Sequence, residues 1–158
     1  MIILRIPGAL RYRDLAMRVV AAACKLVGPP SSGSGSFRIS QDFDNQVISA
    51  FGELFNNIAI HGYSREPTGG EIEVRIEATM DRIAIELRDW GRSFDPMAVP
   101  APDLDALPES GLGLFIVRSF MDEVVYQAGV PNVTMLTKYL KGKSRQATPP
   151  ASDPGGDA

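Results

Sequence analysis

Two consecutive segments, EIEVRIEATM (71–80) and RIAIELRDW (82–90), constrain the fold more than any other part of the sequence. In both, apolar residues alternate with mostly charged ones, as in a strand that buries one of its two faces. Asp81-Arg82 lies at their junction, so the spacing predicts an antiparallel hairpin, although no Asn-Gly turn is present. A sheet built on such a hairpin needs a second layer over its apolar face.

The rest of the chain predicts the elements that surround this hairpin. Apolar runs predict three more strands, at 2–6, 123–128 and 132–140. Helical character is found at 11–28, 42–61 and 111–124. Loops are predicted at 29–36, 63–70 and 92–110. Strands therefore occur in hairpins and helices in blocks of their own, which predicts an α+β two-layer sandwich with helices on one face of a mixed, mostly antiparallel sheet.

Composition and charge exclude several classes of protein. The chain has 158 residues, 44% hydrophobic and 22% charged, which suits one domain over residues 1–142 and a polar, disordered tail over 143–158. A net charge of −3 argues against direct nucleic-acid binding, and no apolar run approaches the ~20 residues needed to cross a membrane. With Cys24 the only cysteine and His61 the only histidine, we expect no disulfide, no structural zinc site and a cytoplasmic location.

The stretch GELFNNIAIHGY (52–63) places polar groups beside the apolar face of the second predicted helix. Glu53, Asn57 and His61 are spaced i, i+4, i+8 and follow one slanting line at the edge of that face. A half-buried carboxylate needs a partner. One interpretation is a capping or hydrogen-bonding role, which stays open for Asn56 and His61. The other is the wall of a ligand cleft, where an amide oxygen suits Mg²⁺ and a carboxylate orients a hydroxyl.

The segment RDWGRSFDP follows directly on the second strand of the hairpin. Asp89 at the end of this strand is placed to accept a hydrogen bond from an exocyclic amine, and Gly91 lets a ring approach closely. Such a D-x-G pattern is more often a plain turn. The proline-rich loop at 92–110 that follows has the length of a functional lid.

The segment ESGLGLFIVRS opens the third predicted helix with two glycines, Gly111 and Gly113. Free N–H groups and the positive end of the helix dipole attract phosphate, and glycine removes the side chains that would block it. A structural turn from loop to helix explains an isolated G-x-G equally well. Arg118, farther along the helix, is either a surface charge or a contact for phosphate or a partner.

Taken in order, E-x-x-x-N on a helix, D-x-G after a strand, a proline-rich lid and G-x-G-L opening a helix form a specific pattern. It resembles the GHKL nucleotide-binding superfamily, which includes gyrase, heat-shock chaperone, histidine kinase and mismatch-repair ATPases. Within it, GELFNNIAIHGY, DWGRSFDP and GLGLFIVRSFMDEV are most similar to the bacterial anti-sigma-factor serine/threonine kinases.

The resemblance implies ATP and Mg²⁺ as cofactors, with Glu53 as the catalytic base or orienting acid and Asn57 as the Mg²⁺ ligand. The ATP-binding residues that it implies are Asn57, Asp89, Gly91, Phe94, Gly111, Leu112, Gly113, Leu114, Asn132 and Thr134. Asn132 and Thr134 are alternative candidates for the small polar residue that reaches adenine through water. Ser93 departs from the wider family, which often has a second glycine there.

The function that this resemblance implies is a kinase that doubles as an anti-sigma factor. Its substrate would be a small anti-sigma-factor antagonist of the STAS type, and its other partner a sigma factor. The relatives also form homodimers through the N-terminal strand and first helix. Three other readings are a nucleotide-gated binding module without catalysis, a detached histidine-kinase domain, and a structural domain with coincidental motifs. A binding module without catalysis leaves Glu53 unexplained. A histidine kinase would use a helical hairpin with a phosphoacceptor histidine, which this sequence lacks.

Overall fold

The computed structural model describes residues 1–29, 41–65, 68–93 and 112–140, with only the backbone of Gln41. Most of the predicted loop at 29–36, nearly all of the predicted lid at 92–110 and the whole tail at 143–158 lie outside the described residues. Two predicted site residues, Phe94 and Gly111, also lie outside them.

Within the described ranges, five strands form one sheet in the order β1-β2-β3-β5-β4, and every neighbouring pair is antiparallel. The strands are β1 (Ile2–Pro7), β2 (Glu71–Ala78), β3 (Arg82–Asp89), β4 (Glu123–Gln127) and β5 (Asn132–Tyr139). The predicted hairpin is confirmed as β2 and β3, with Val74 opposite Leu87 and Ile76 opposite Ile85. The α+β class is confirmed as well, and the described sheet is wholly antiparallel where a mixed one was allowed.

In the part of the chain that the structure describes, three α-helices cover the apolar face of this sheet: α1 (Arg13–Cys24), α2 (Gln41–Asn57) and α3 (Leu112–Phe120). The helix α2 packs between the other two. Its buried Phe51 and Phe55 share the core with Ile72, Ile85 and other strand residues that alternation places on this face. Among the described helices, none is long and apolar enough to cross a membrane.

Both long helices differ from their predicted ranges at the C-terminal end. The chain after Cys24 makes tight turns, in which Lys25 and Leu26 donate to carbonyls three residues back, and Gly28 adopts φ 98°. These turns end α1 before the predicted residue 28. At the end of α2, residues Ile58–Gly62 form a π-helical turn, in which the Tyr63 N–H reaches back five residues to the Ile58 carbonyl.

The opposite face of the sheet carries ion pairs between charged side chains. Glu73 on β2 is only 3% exposed and accepts hydrogen bonds from Arg5 and Arg75, each at 2.6 Å. Arg88 pairs with Glu86 two residues away on β3. Because Arg5 lies directly opposite Glu73 in the β1–β2 register, the pairing of distant strands creates this burial.

Candidate functional site

Glu53 and Asn57 lie half-buried near the C-terminal end of α2, one turn apart and beside α3. A Cβ atom added at Gly113 would collide with Oε2 of Glu53. The missing side chain in the first turn of α3 therefore leaves the space that the Glu53 carboxylate occupies. Two motifs separated by sixty residues of sequence meet at this point.

Asn57 contributes an unpaired amide. Its Nδ2 atom is buried, and no hydrogen-bond partner for it exists in the described part of the chain. Such orphaned groups are uncommon and call for an explanation, of which an absent ligand is one. Mg²⁺ takes hard oxygen ligands and usually keeps several waters while binding one or two protein groups and substrate phosphates. An amide oxygen at the end of α2 fits that donor set.

Asp89 ends β3 as a buried carboxylate, 5% exposed. Its Oδ1 atom accepts the backbone N–H of Gly91 at 3.0 Å and the side-chain Nδ2 of Asn132 at 3.0 Å. Burial raises the pKa of Asp89, and these two hydrogen bonds offset part of that rise. The carboxylate is thus held in one orientation in a site with little water.

Asn132 is the partner of Asp89 across the β3–β5 pair and is 1% exposed. Its Nδ2 donates to Asp89 and, at 3.1 Å, to the carbonyl of Gly91. Its Oδ1 accepts three donors, which are Ser93 Oγ at 2.7 Å, Gly129 N at 3.1 Å and Tyr126 Oη at 3.4 Å. One side chain therefore joins the end of β3, the chain that leaves it and the turn before β5.

Gly91 packs directly against the backbone at the end of α2. A Cβ atom at this position would lie 2.7 Å from the Gly62 carbonyl oxygen, and the adjacent Arg92 N–H donates to that oxygen at 3.0 Å. The sequence suggested that Gly91 gives a ring room to approach. The structure adds a backbone contact, which brings Asp89 and the end of α2 to the same side of the domain.

Tyr63 is a residue that the sequence reading missed. Its hydroxyl donates to the Glu71 carbonyl at 2.5 Å and accepts the Trp90 N–H at 2.9 Å, while its ring lies against Gly8 and Gly70. Burial raises the pKa of this hydroxyl. The Trp90 side chain itself is 45% exposed. An aromatic residue directly after the glycine of IAIHGY was the available signal.

The remaining predicted site residues differ in how far their side chains are exposed to solvent. Thr134 on β5, opposite Leu87, is 2% exposed, and Leu114 in α3 is also buried. Leu112 and His61 are exposed, whereas Asn56 and Arg118 are partly buried. The described structure thus brings Glu53, Asn57 and Gly113 together at α2 and α3, and Asp89, Gly91 and Asn132 together at the ends of β3 and β5.

The described residues thus form an α+β sandwich in which an acid–amide pair lies on the central helix and a buried carboxylate ends a strand. The family profile described as "Histidine kinase-like ATPase domain" matches residues 9–138. The chain belongs to the histidine kinase-like ATPase family.

Similar curated proteins include two named Serine-protein kinase RsbW. The one from Staphylococcus aureus is 37% identical over 148 residues, covering 87% of this chain and 86% of that protein. The one from Bacillus velezensis is 34% identical over 102 residues, covering 60% of this chain and 63% of that protein. A solved histidine kinase domain from Erythrobacter litoralis EL346 matches with 17% identity and a TM-score of 0.48, covering 85% of this chain and 62% of that one.

The family profile and the curated relatives confirm the predicted resemblance to the GHKL superfamily. They also agree with the predicted class of enzyme, a protein serine/threonine kinase, since that is how the relatives are named.

Proposed function

We propose that the chain transfers phosphate from ATP to a serine or threonine of an anti-sigma-factor antagonist, a small protein of the STAS type. The observation that carries this proposal is the contact between Glu53 and Gly113, because it sets a carboxylate beside the first turn of α3. A carboxylate at that place serves a reaction at the terminal phosphate, whereas a site that only binds nucleotide has no use for it.

Nucleotide binding would use both ends of the site. Asp89 would accept the exocyclic amine of adenine through its Oδ2 atom, since both hydrogen bonds from the described residues end on Oδ1. The free N–H groups in the first turn of α3 would attract the phosphates, with Gly113 and Leu114 in that turn. Asn57 would hold Mg²⁺, which neutralises phosphate charge when bound.

The chemical step rests on Glu53. Phosphoryl transfer depends mainly on positioning and charge stabilisation, so the acid has to align the substrate hydroxyl with the terminal phosphate and accept its proton. Glu53 is half-buried, and its Oε2 atom lies against Gly113 in the first turn of α3, which is where this role requires the carboxylate.

A direct test uses Glu53→Gln and Asn57→Ala with radiolabelled ATP and a candidate STAS-type antagonist. We expect Glu53→Gln to bind Mg-ATP within about threefold of wild type but to transfer phosphate at least about a hundredfold more slowly. Asn57→Ala should lose Mg²⁺-dependent binding in calorimetry. Full transfer by Glu53→Gln would remove this residue from the mechanism, and binding without transfer by wild type would favour the binding-module reading.

The proposed partners are those that the resemblance to anti-sigma-factor kinases implies. We propose that the chain also binds a sigma factor and releases it when the unphosphorylated antagonist binds. A homodimer would use β1 and α1, since β1 pairs only with β2 among the described strands and leaves its other edge open. Comparing the molar masses of wild type and Ile3→Pro by light scattering would test this pairing.

A further inference from the structure

We propose that Asn132 is a positioning residue, which fixes the Asp89 carboxylate so that Oδ2 faces the nucleotide base, and that it makes no contact with the nucleotide itself. This inference rests on the proposed role of Asp89 in reading adenine. Asn132 and Thr134 were the alternative candidates for the residue that reaches adenine through water. This inference excludes Asn132 from that role and makes it a support for Asp89.

The hydrogen-bonding capacity of Asn132 is already used. An amide side chain has two N–H donors and one oxygen with two lone pairs. Both donors are engaged, by Asp89 and by the Gly91 carbonyl, and the oxygen accepts three groups at 2.7–3.4 Å. With 1% of its surface exposed, Asn132 has neither a free donor nor the access that a purine or a bridging water needs.

The consequence for Asp89 is a fixed carboxylate plane. Two donors, Gly91 N and Asn132 Nδ2, converge on Oδ1 at 3.0 Å each. The described residues give Oδ2 no hydrogen bond, so this oxygen remains available to an amine. Without Asn132, only Gly91 would hold Oδ1 and the carboxylate would be free to rotate. Recognition of an amine would then weaken, because the acceptor would no longer be aligned in advance.

Ser93 fits the same arrangement. The wider family often has glycine at this position, and glycine has no side chain to donate. Here the Ser93 hydroxyl gives Asn132 its shortest hydrogen bond, 2.7 Å. The departure from the family pattern at Ser93 is thereby explained by the residue that it contacts. The pair holds the chain just beyond Asp89 against the start of β5.

The test compares ATP with purine ribonucleoside triphosphate, which lacks only the 6-amino group. Calorimetry would measure both dissociation constants for wild type, Asn132→Ala and Thr137→Ala, a control at another buried polar residue of β5. We expect wild type to prefer ATP by about tenfold or more, as a hydrogen bond to a charged group implies. Asn132→Ala should reduce this preference to about twofold through weaker ATP binding, whereas Thr137→Ala should retain it.

A second variant provides a pH profile and remains informative if Asn132→Ala does not fold. Asn132→Asp keeps the shape of the side chain but removes the donor and adds a negative charge. It should lose the preference at pH 8 and regain part of it near pH 6, because a proton shared by the two carboxyls restores a donor to Oδ1. A residue with a merely structural role would show no such recovery.

The outcomes separate this inference from the proposed function. Equal weakening of both nucleotides by Asn132→Ala, or an unchanged preference, would overturn the positioning role. Failure of wild type to bind either nucleotide would overturn the proposed function instead. In that case the carboxyl pKa of Asp89, measured by ¹³C NMR, still decides the positioning role. We expect Asn132→Ala to raise that pKa, and no change would refute the role.

Discussion

The space beside Glu53 exists because position 113 has no side chain. Any larger residue there would push the carboxylate away from the first turn of α3. Sequence reasoning assigned Gly113 to phosphate binding on the strength of a G-x-G pattern, which stays a prediction. The contact with Glu53 was not predictable, since it depends on how two helices pack.

We expect Gly113→Ala to lower phosphate transfer by at least about tenfold while leaving the fold intact. Alanine favours a helix over glycine by up to about 1 kcal/mol, which offsets part of the steric cost to stability. Transfer rates and melting temperatures of Gly113→Ala and of Ser119→Ala, an exposed position on the same helix, would be compared. A wild-type rate in Gly113→Ala would show that Glu53 tolerates displacement.

The thiol of Cys24 should be inert in the folded protein. This side chain is fully buried in the core, and burial raises its pKa to about 12. A chromogenic disulfide reagent at pH 8 should therefore react with less than about a tenth of the protein within minutes, and completely in denaturant. Rapid reaction without denaturant would mean that the end of α1 opens readily.

At the scale of elements, the π-helical turn at Ile58–Gly62 and the residue after it connect α2 to the sheet. Gly62 contacts the backbone at Gly91, and Tyr63 bridges the beginning of β2 and the end of β3 through one hydroxyl. These contacts determine where Asp89 lies relative to Asn57. A helical pattern in the sequence predicted the helix through residue 61, but its period does not distinguish an α-helical from a π-helical turn.

Replacing Tyr63 with Phe should destabilise the protein by about 0.5–1.5 kcal/mol. The ring stays in place, but the Glu71 carbonyl and the Trp90 N–H both lose the hydroxyl of the half-buried Tyr63, and water replaces it only in part. Urea unfolding would measure the change. Tyr12→Phe is the matched control, because the described residues give the Tyr12 hydroxyl one hydrogen bond, from the neighbouring Arg11, and its loss should cost less than about 0.5 kcal/mol.

For the whole molecule, two buried carboxylates on opposite faces of the sheet should give opposite pH dependences. Burial raises the pKa of Asp89, whereas hydrogen bonds from Arg5 and Arg75 lower the pKa of Glu73. A raised pKa means a contribution to stability that is complete below the pKa of the unfolded state and is lost as the pH rises through the folded-state pKa. A lowered pKa means a contribution that is present above the unfolded-state pKa and is lost as the pH falls.

The measurement is the free energy of unfolding of wild type, Asp89→Asn and Glu73→Gln between pH 3 and pH 8. The advantage of wild type over Glu73→Gln should shrink as the pH falls below the ordinary glutamate pKa, about 4.3. The advantage of wild type over Asp89→Asn should shrink as the pH rises above the ordinary aspartate pKa, about 3.9. If the free-energy differences of the two variants from wild type changed with pH in the same direction, the assigned pKa directions of Asp89 and Glu73 would be contradicted.

The sequence predicted local features well and long-range pairing less well. Alternation over 71–90 was enough to predict β2 and β3 and the face that they bury, because it depends only on neighbouring residues. It also suggested that Glu73 faces water, and the structure buries it under Arg5 from a strand nearly seventy positions away. The pairing of Asp89 with Asn132 arises in the same way, from a register that no local pattern encodes.

The position of Trp90 offers a label-free view of binding. It is the only tryptophan of the chain, it directly follows Asp89, and its side chain is partly exposed to water. Indole emission responds to solvent and to stacked rings, so its intensity or wavelength should change if a base binds beside Asp89 as proposed. Trp90 would then serve as an internal fluorescent reporter of binding at the proposed base site.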